Sequence, residues 1–380
     1  MAYTHVQFIA YEVPTGVALP AGSCDPGDLE ICKGVEGDAA YKQAMSSLSN
    51  DLRVRVARLL TIIDLTRSSK AARTEDTTLK IFMAPEFYLR PEEGQASRSY
   101  AASDMVAAQE VFRAVFSQSM LAGWVCVLGT LVWNMKGKVV ASSAASEKAK
   151  KYVEKLQALA NKDFVYNSAV VGVGGAGVWV YDKVHYADPA DQVQKENWPL
   201  KEYCMNGPLQ TIVEAGNVHC GLEVCRDHQM HLLNQGVKAM KASLGNQANA
   251  VKLDLQLLTA CGMPIQKNSV VVGKDALVFR VDGAVEQSNE LFGEFTHSEI
   301  QVVAKADARG ATEMVNLETD GDRWKELNAP EHEVPLTGDL KLDVTGKKGT
   351  VLAGDGAAEE SLSACFPQRL VVYPYLSLTH

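Results

Sequence analysis

The sequence predicts a mixed α/β protein whose sheet is covered by helices. Strand-like runs and helical periodicities alternate from residue 50 to residue 260, and the runs are too uniformly apolar for a sheet with one face in water. No repeat with a period of about 20–50 residues and no long Ser/Pro linker divides the chain, which points to one core with a C-terminal arm.

In chain order, strands are expected at Val6 to Glu12, Leu79 to Ala84, Val125 to Trp133, Phe164 to Val173 and Val178 to Val184. Further strands are expected at Val218 to Cys225, Leu255 to Cys261, Ser269 to Asp282, Gln301 to Ala304 and Leu370 to Leu378. Pro374 in the last run argues for an edge or a bend. Residues 39 to 67 place Leu48, Leu52, Val56, Leu59, Leu60 and Ile63 at helical spacing. Ser103-Asp104 caps a second helix running to about Met120, 144 to 160 reads as a charged helix, and Gln229 to Leu244 as another. Residues 308 to 366 are polar and Gly-rich, as loops or a surface hairpin would be. The division expected is residues 1–307 as the main domain and 308–380 as an arm packing on it or on a neighbouring subunit.

Composition narrows the function classes. The 380 residues are 47% apolar and 22% charged with a formal charge of −9, which excludes collagenous, disordered and small secreted proteins. The acidic balance disfavours nucleic acid and anionic membranes as partners. No apolar run reaches the ~18 residues of a membrane span. Met1-Ala2-Tyr3-Thr4-His5 lacks the basic and apolar regions of a secretory signal, so a cytoplasmic location is expected, with the eight scattered cysteines reduced.

Three motifs carry possible chemistry. Gly172, Gly174, Gly175 and Gly177 lie between two β-prone runs rather than between a strand and a helix, so they read as a hairpin turn, not a phosphate loop. Cys220, Cys225, His228 and His231 could supply zinc ligands. However, the two cysteines are five apart on a strand and point to opposite faces, and no metal is expected. The third motif joins distant residues. Glu86, Lys183 and Cys225 each follow an apolar strand, where layered α/β proteins gather their sites. A thiol before a helix, beside a lysine, is expected to have a lowered pKa, and a carboxylate could carry its proton.

These segments resemble the signature blocks of the nitrilase, or carbon–nitrogen hydrolase, superfamily. The glutamate block looks like Ile81-Phe82-Met83-Ala84-Pro85-Glu86-Phe87, and the lysine block like Tyr181-Asp182-Lys183-Val184-His185-Tyr186. The cysteine block looks like Gly221-Leu222-Glu223-Val224-Cys225-Arg226-Asp227. Val127-Leu128-Gly129-Thr130, Tyr166-Asn167-Ser168-Ala169, Gly273-Lys274-Asp275-Ala276 and Asp282-Gly283 follow in the family's order, so the resemblance spans about residues 5 to 307.

The resemblance implies a four-layer α-β-β-α sandwich assembled as a homodimer or higher homo-oligomer, with insertions at 13 to 50 and about 136 to 162. It implies hydrolysis of a small non-peptide amide or N-carbamoyl bond without metal or organic cofactor. Cys225 would be the nucleophile, Glu86 the general base, and Lys183 the oxyanion stabiliser together with the backbone N–H of Arg226. A second glutamate that orients the substrate falls at Glu196, with Glu202 as the alternative. Arg226, His228, Tyr88 and Trp133 are candidates for lining the pocket. Cys225-Arg226-Asp227 is closer to the amidase and carbamoylase branches than to true nitrilases. A nitrilase, an amide-forming acyltransferase and a non-catalytic binding relative remain as alternatives.

Overall fold

The computed structural model describes residues 2–15, 29–69, 72, 74–91, 99–136, 163–186, 198, 211–244, 252–284, 298–307, 310–316, 332–336 and 368–378. Two sheets stack face to face. The first has the order β13-β14-β1-β2-β4-β5-β6, with the short β3 (Tyr100–Ala101) beside β4. Its strands are β1 (His5–Glu12), β2 (Thr78–Ala84), β4 (Trp124–Lys136), β5 (Asp163–Val173), β6 (Gly177–Asp182), β13 (His332–Leu336) and β14 (Gln368–Ser377). The second runs β12-β11-β10-β9-β8-β7. It is built from β7 (Ile212–Ala215), β8 (Val218–Val224), β9 (Leu255–Ala260), β10 (Leu277–Asp282), β11 (Ser298–Asp307) and β12 (Gly310–Asn316).

Three apolar layers make this a four-layer α-β-β-α sandwich. Between the sheets, Phe8, Ile81, Met83, Val127 and Val171 meet Leu222, Val224, Leu257 and Phe279. The alternate residues of the first sheet, among them Ile9, Phe82, Cys126 and Val170, face helices α1 (Glu30–Lys33), α2 (Ala39–Ser47), α3 (Asn50–Ser68) and α4 (Ala102–Phe116). On the far side, Val278 and Val303 pack with Leu233 and Val237 of a helix at Leu232–Leu244. Strands covered on both faces are buried along their whole length, as β2 and β9 are, which is why their sequences run apolar without alternation.

Several expectations shift at element boundaries. The 39–67 periodicity divides into two helices, because Leu48 leaves helical geometry (ψ 139°) and Ser49 becomes the N-cap of α3. The expected strand Ser269 to Asp282 shortens to β10, preceded by a 3₁₀ turn at Lys267–Ser269. Pro374 does not sit on an edge strand: β14 lies between β13 and β1, and the ladder slips at the proline, pairing Ile9 with Val372 but Gln7 with Tyr375. A bulge absorbs the missing N–H. The glycine-rich segment is the expected hairpin, with Val173 paired to Gly177, and Gly175 and Gly177 at φ 79° and 116°. The 144 to 160 helix lies outside the described residues.

Topology positions the site. β1, β2 and β4 run parallel, and two antiparallel pairings bring β6 back to the same direction. In the second sheet β8, β9 and β10 are parallel to one another. The C-terminal ends of β1, β2, β6, β8, β9 and β10 gather at one end of the sandwich. Thr259 Oγ1 donates to the Ala84 carbonyl (3.0 Å) and Thr15 N–H to the Gly283 carbonyl (2.8 Å), joining the sheets there. No helix among the described residues is long and apolar enough to cross a membrane.

Candidate active site

Glu86 follows β2 on a turn that the neighbouring strand builds. Thr130 Oγ1 accepts from the Phe87 N–H (2.8 Å), the Thr130 carbonyl from the Leu89 N–H (3.1 Å), and the Leu89 carbonyl from the Val132 N–H (3.0 Å). Gly129 makes room. Its φ is +76°, and a Cβ there would lie 2.6 Å from the Pro85 carbonyl oxygen. The Val127-Leu128-Gly129-Thr130 block is therefore the seat of the glutamate turn. Phe87 itself adopts φ 65°, a left-handed conformation that a bulky side chain rarely takes.

Lys183 leaves the end of β6 with its main chain held, its N–H donating to the Asn167 carbonyl (2.8 Å). Cys225 follows β8 at φ 47°, ψ −109°, as the N-cap of the four-residue helix α5 (Arg226–Gln229). Two strained residues at one strand-end cluster are the pattern expected where the fold over-determines a functional geometry.

The three side chains meet. Lys183 Nζ donates to Glu86 Oε1 (2.7 Å), and so does Asn167 Nδ2 (2.9 Å). The Cys225 thiol stands beside this pair, near enough for the charges of Glu86 and Lys183 to act on it together with the Cys261 N–H just past β9. Glu86 is fully buried and Lys183 is 1% exposed. The Phe87 ring lies between two cations, with Arg90 Cζ 4.8 Å and Lys183 Nζ 5.7 Å from its centroid.

The thiol's electrostatics correct the expectation of a lowered pKa. Burial pushes Cys225 well above the ordinary thiol value and the Glu86 charge adds to this; Lys183 and the Cys261 N–H pull in the other direction without overcoming it. A helix of four residues supplies little dipole. Burial and the Glu86 charge together favour the protonated form of this thiol. Cys261, beside it, is likewise raised by burial and by Glu86, to about 12.

Other sequence candidates separate from this cluster. Tyr88 packs in the helix-facing layer, edge-on to Tyr11 (5.3 Å), and donates to the Arg55 carbonyl (3.3 Å), so it does not line the site. Trp133 lies in the same layer, stacked on Tyr166, with Nε1 donating to Ser168 Oγ (2.8 Å). His228 is fully buried, Nδ1 against Glu223 (2.6 Å) and Nε2 accepting from the Gln266 N–H (3.0 Å); its ring is committed to the fold. These partners also occupy the histidine in the zinc reading, and no group of three or more potential ligands occurs among the described residues. Arg226 is partly exposed at the first turn of α5, where its N–H has no partner within the helix. Glu196 and Glu202 lie outside the described residues.

The sequence places Asn167 and Tyr186 within family-like blocks but assigns neither a role at the site. Asn167 is a buried amide that, with Ser168, interrupts the apolar run of β5, and its own N–H donates to Tyr186 Oη (3.0 Å). A polar residue at an inward position of a two-sided strand was the available signal.

No family model matches the chain, and neither does any curated protein. Among solved structures it is similar to an amidase from Nesterenkonia sp., at 11% identity over 98% of this chain and 92% of that one, TM-score 0.36. A cysteine-to-alanine variant of the Nesterenkonia sp. AN1 amidase in complex with butyramide is similar at 13% identity over 73% and 77%, TM-score 0.35. Glutamine-dependent NAD+ synthetase from Acinetobacter baumannii is similar at 11% over 82% of this chain and 45% of that one, TM-score 0.36. Likeness at this level leaves the chemistry to be read from the side chains.

Proposed function

We propose that the chain is an amidohydrolase of the carbon–nitrogen hydrolase type, cleaving a small non-peptide amide or N-carbamoyl bond. The observation that supports this most is a buried carboxylate paired with an ammonium at 2.7 Å and acting on a thiol beside it, the three brought from strand ends of two sheets.

In this reading Glu86 takes the Cys225 proton as Sγ attacks the carbonyl carbon. The C=O π pair moves to oxygen, and the resulting oxyanion faces the Lys183 ammonium and the Arg226 N–H. Each such donor contributes about 3 kcal/mol of transition-state stabilisation. Collapse breaks the C–N bond, and protonated Glu86 gives its proton to the departing nitrogen. A thioester remains. Glu86 then removes a proton from water as its oxygen attacks the thioester carbon; the C–S bond breaks, the acid leaves, and Glu86 gives the proton back to Sγ. A thiol that starts protonated needs a base in contact, and the raised Cys225 pKa fits that requirement.

The substrate is a small molecule, and the assembly is a homodimer or higher homo-oligomer. The pairing of β14 (Gln368–Ser377) with β1 supports a C-terminal arm that packs on the main unit. The test is ammonia release from a panel of amides, N-carbamoyl amines and nitriles by wild type and Cys225→Ala. Amide or carbamoyl turnover lost in the variant supports the reading. Turnover of nitriles alone would favour a nitrilase, and binding without turnover the non-catalytic relative.

A further inference from the structure

Asp227 ties the lysine strand to the cysteine turn. It sits two residues after Cys225, fully buried, and all its described hydrogen bonds run to the segment carrying Lys183. Oδ1 accepts from the His185 N–H (2.7 Å) and faces His185 Nδ1 (2.7 Å). Oδ2 accepts from the Val184 N–H (3.1 Å) and from the Tyr181 hydroxyl. Residues on both sides of Lys183 are thus fastened to one carboxylate. The other face of the segment is held by β5: Ser168 Oγ donates to Asp182 Oδ1 (2.5 Å), and the Lys183 N–H is bound by Asn167.

On the cysteine side, α5 has two anchors. His228 is fixed to Glu223, which also accepts from the Leu233 N–H (2.9 Å) and Gln256 Nε2 (2.9 Å). Those bonds attach the turn to its own sheet. Asp227 alone among the α5 side chains described reaches the other sheet's strand end. The left-handed Cys225 stands between these two attachments.

We infer that Asp227 is a positioning residue that sets the distance between the Cys225 thiol and the Glu86–Lys183 pair. The inference rests on the proposed function for its kinetic readout only. A turn at φ 47° relaxes when one attachment is lost, and the thiol then moves away from Glu86 and toward water.

The experiment compares wild type with Asp227→Ala, Asp227→Asn, His185→Ala and Tyr181→Phe. It reads kcat and KM on the best amide, and the pH midpoint of iodoacetamide alkylation at Cys225 by peptide mass spectrometry. Asp227→Ala is expected to lower kcat about 10²-fold with KM changed less than about threefold, the usual penalty for a misplaced reacting group. Its alkylation midpoint should fall toward the ordinary thiol value. Asp227→Asn keeps one acceptor oxygen and should recover about tenfold of the loss. If Asp227→Ala does not fold, Tyr181→Phe and His185→Ala each remove one attachment and should give smaller changes in the same direction. A wild type that hydrolyses no amide removes the kinetic arm but leaves the midpoint shift as the test. Folded variants with wild-type midpoint, or with reduced thermal stability and nothing else, would overturn the inference.

Discussion

The glutamate turn and the cysteine turn solve the same problem by different means. Each ends a buried strand, each contains a non-glycine residue in the left-handed region, Phe87 at 65° and Cys225 at 47°, and each presents one reactive side chain to the other. The main chain of the glutamate turn is seated mostly by neutral groups, the hydroxyl and carbonyl of Thr130 and the space left by Gly129, with the Arg55 guanidinium adding one bond to the Tyr88 carbonyl (3.4 Å). The cysteine turn is held by buried carboxylates, Glu223 on its own sheet and Asp227 toward the other. Neutral seating costs little desolvation and depends on shape, whereas carboxylate seating depends on every hydrogen bond being made. Damage to the first should therefore show mainly as lost stability, and damage to the second as lost alignment.

The largest effects should come from the groups to which the proposed function assigns the chemistry. Glu86→Gln removes the proton acceptor and should lower kcat by about 10³-fold or more, and Lys183→Ala by about 10²–10³-fold, with both proteins folded by circular dichroism. A variant with near wild-type kcat at either position would break the comparison at its root.

Gly129→Ala tests the shape-dependent seat. A methyl at φ +76°, 2.6 Å from the Pro85 carbonyl, should cost on the order of 2–3 kcal/mol in urea unfolding. Thr130→Val leaves the Phe87 N–H without its partner and should cost about 1–2 kcal/mol, with a smaller loss of kcat. Tyr88→Phe removes the bond to the Arg55 carbonyl and should cost about 1 kcal/mol with kcat unchanged. A kcat effect there would return Tyr88 to the site.

How much of this was legible follows from where regular structure stops. Apolar runs locate β2, β6 and β8, so Glu86, Lys183 and Cys225 can be placed at strand ends from sequence. The side each following residue takes is not legible, because Phe87 and Cys225 leave the strand through left-handed backbone and the alternation of faces is lost. Tyr88 consequently lands in the helix-facing layer, and Trp133 lands there because the β4 register shifts between Val127 and Thr130, which changes the alternation of faces along the strand. His228 follows the same rule: His231 at φ 57° breaks the expected continuous helix into α5 and a second helix, and the short α5 turns His228 onto Glu223. The direction of the thiol's pKa was not legible either. It depends on how completely the site is buried, and a strand-end motif carries no measure of that.

The central claim is that a protonated Cys225 thiol shares one buried site with Glu86 and Lys183, and cysteine alkylation against pH tests it most directly. Iodoacetamide labelling, read peptide by peptide, should give Cys225 a midpoint above the ordinary 9.0 in wild type. Glu86→Gln removes a negative charge that favours the protonated thiol, so the midpoint should fall. Lys183→Ala removes a positive charge that favours the thiolate, so it should rise. A Cys225 midpoint at or below the ordinary value that ignores both substitutions would contradict the account.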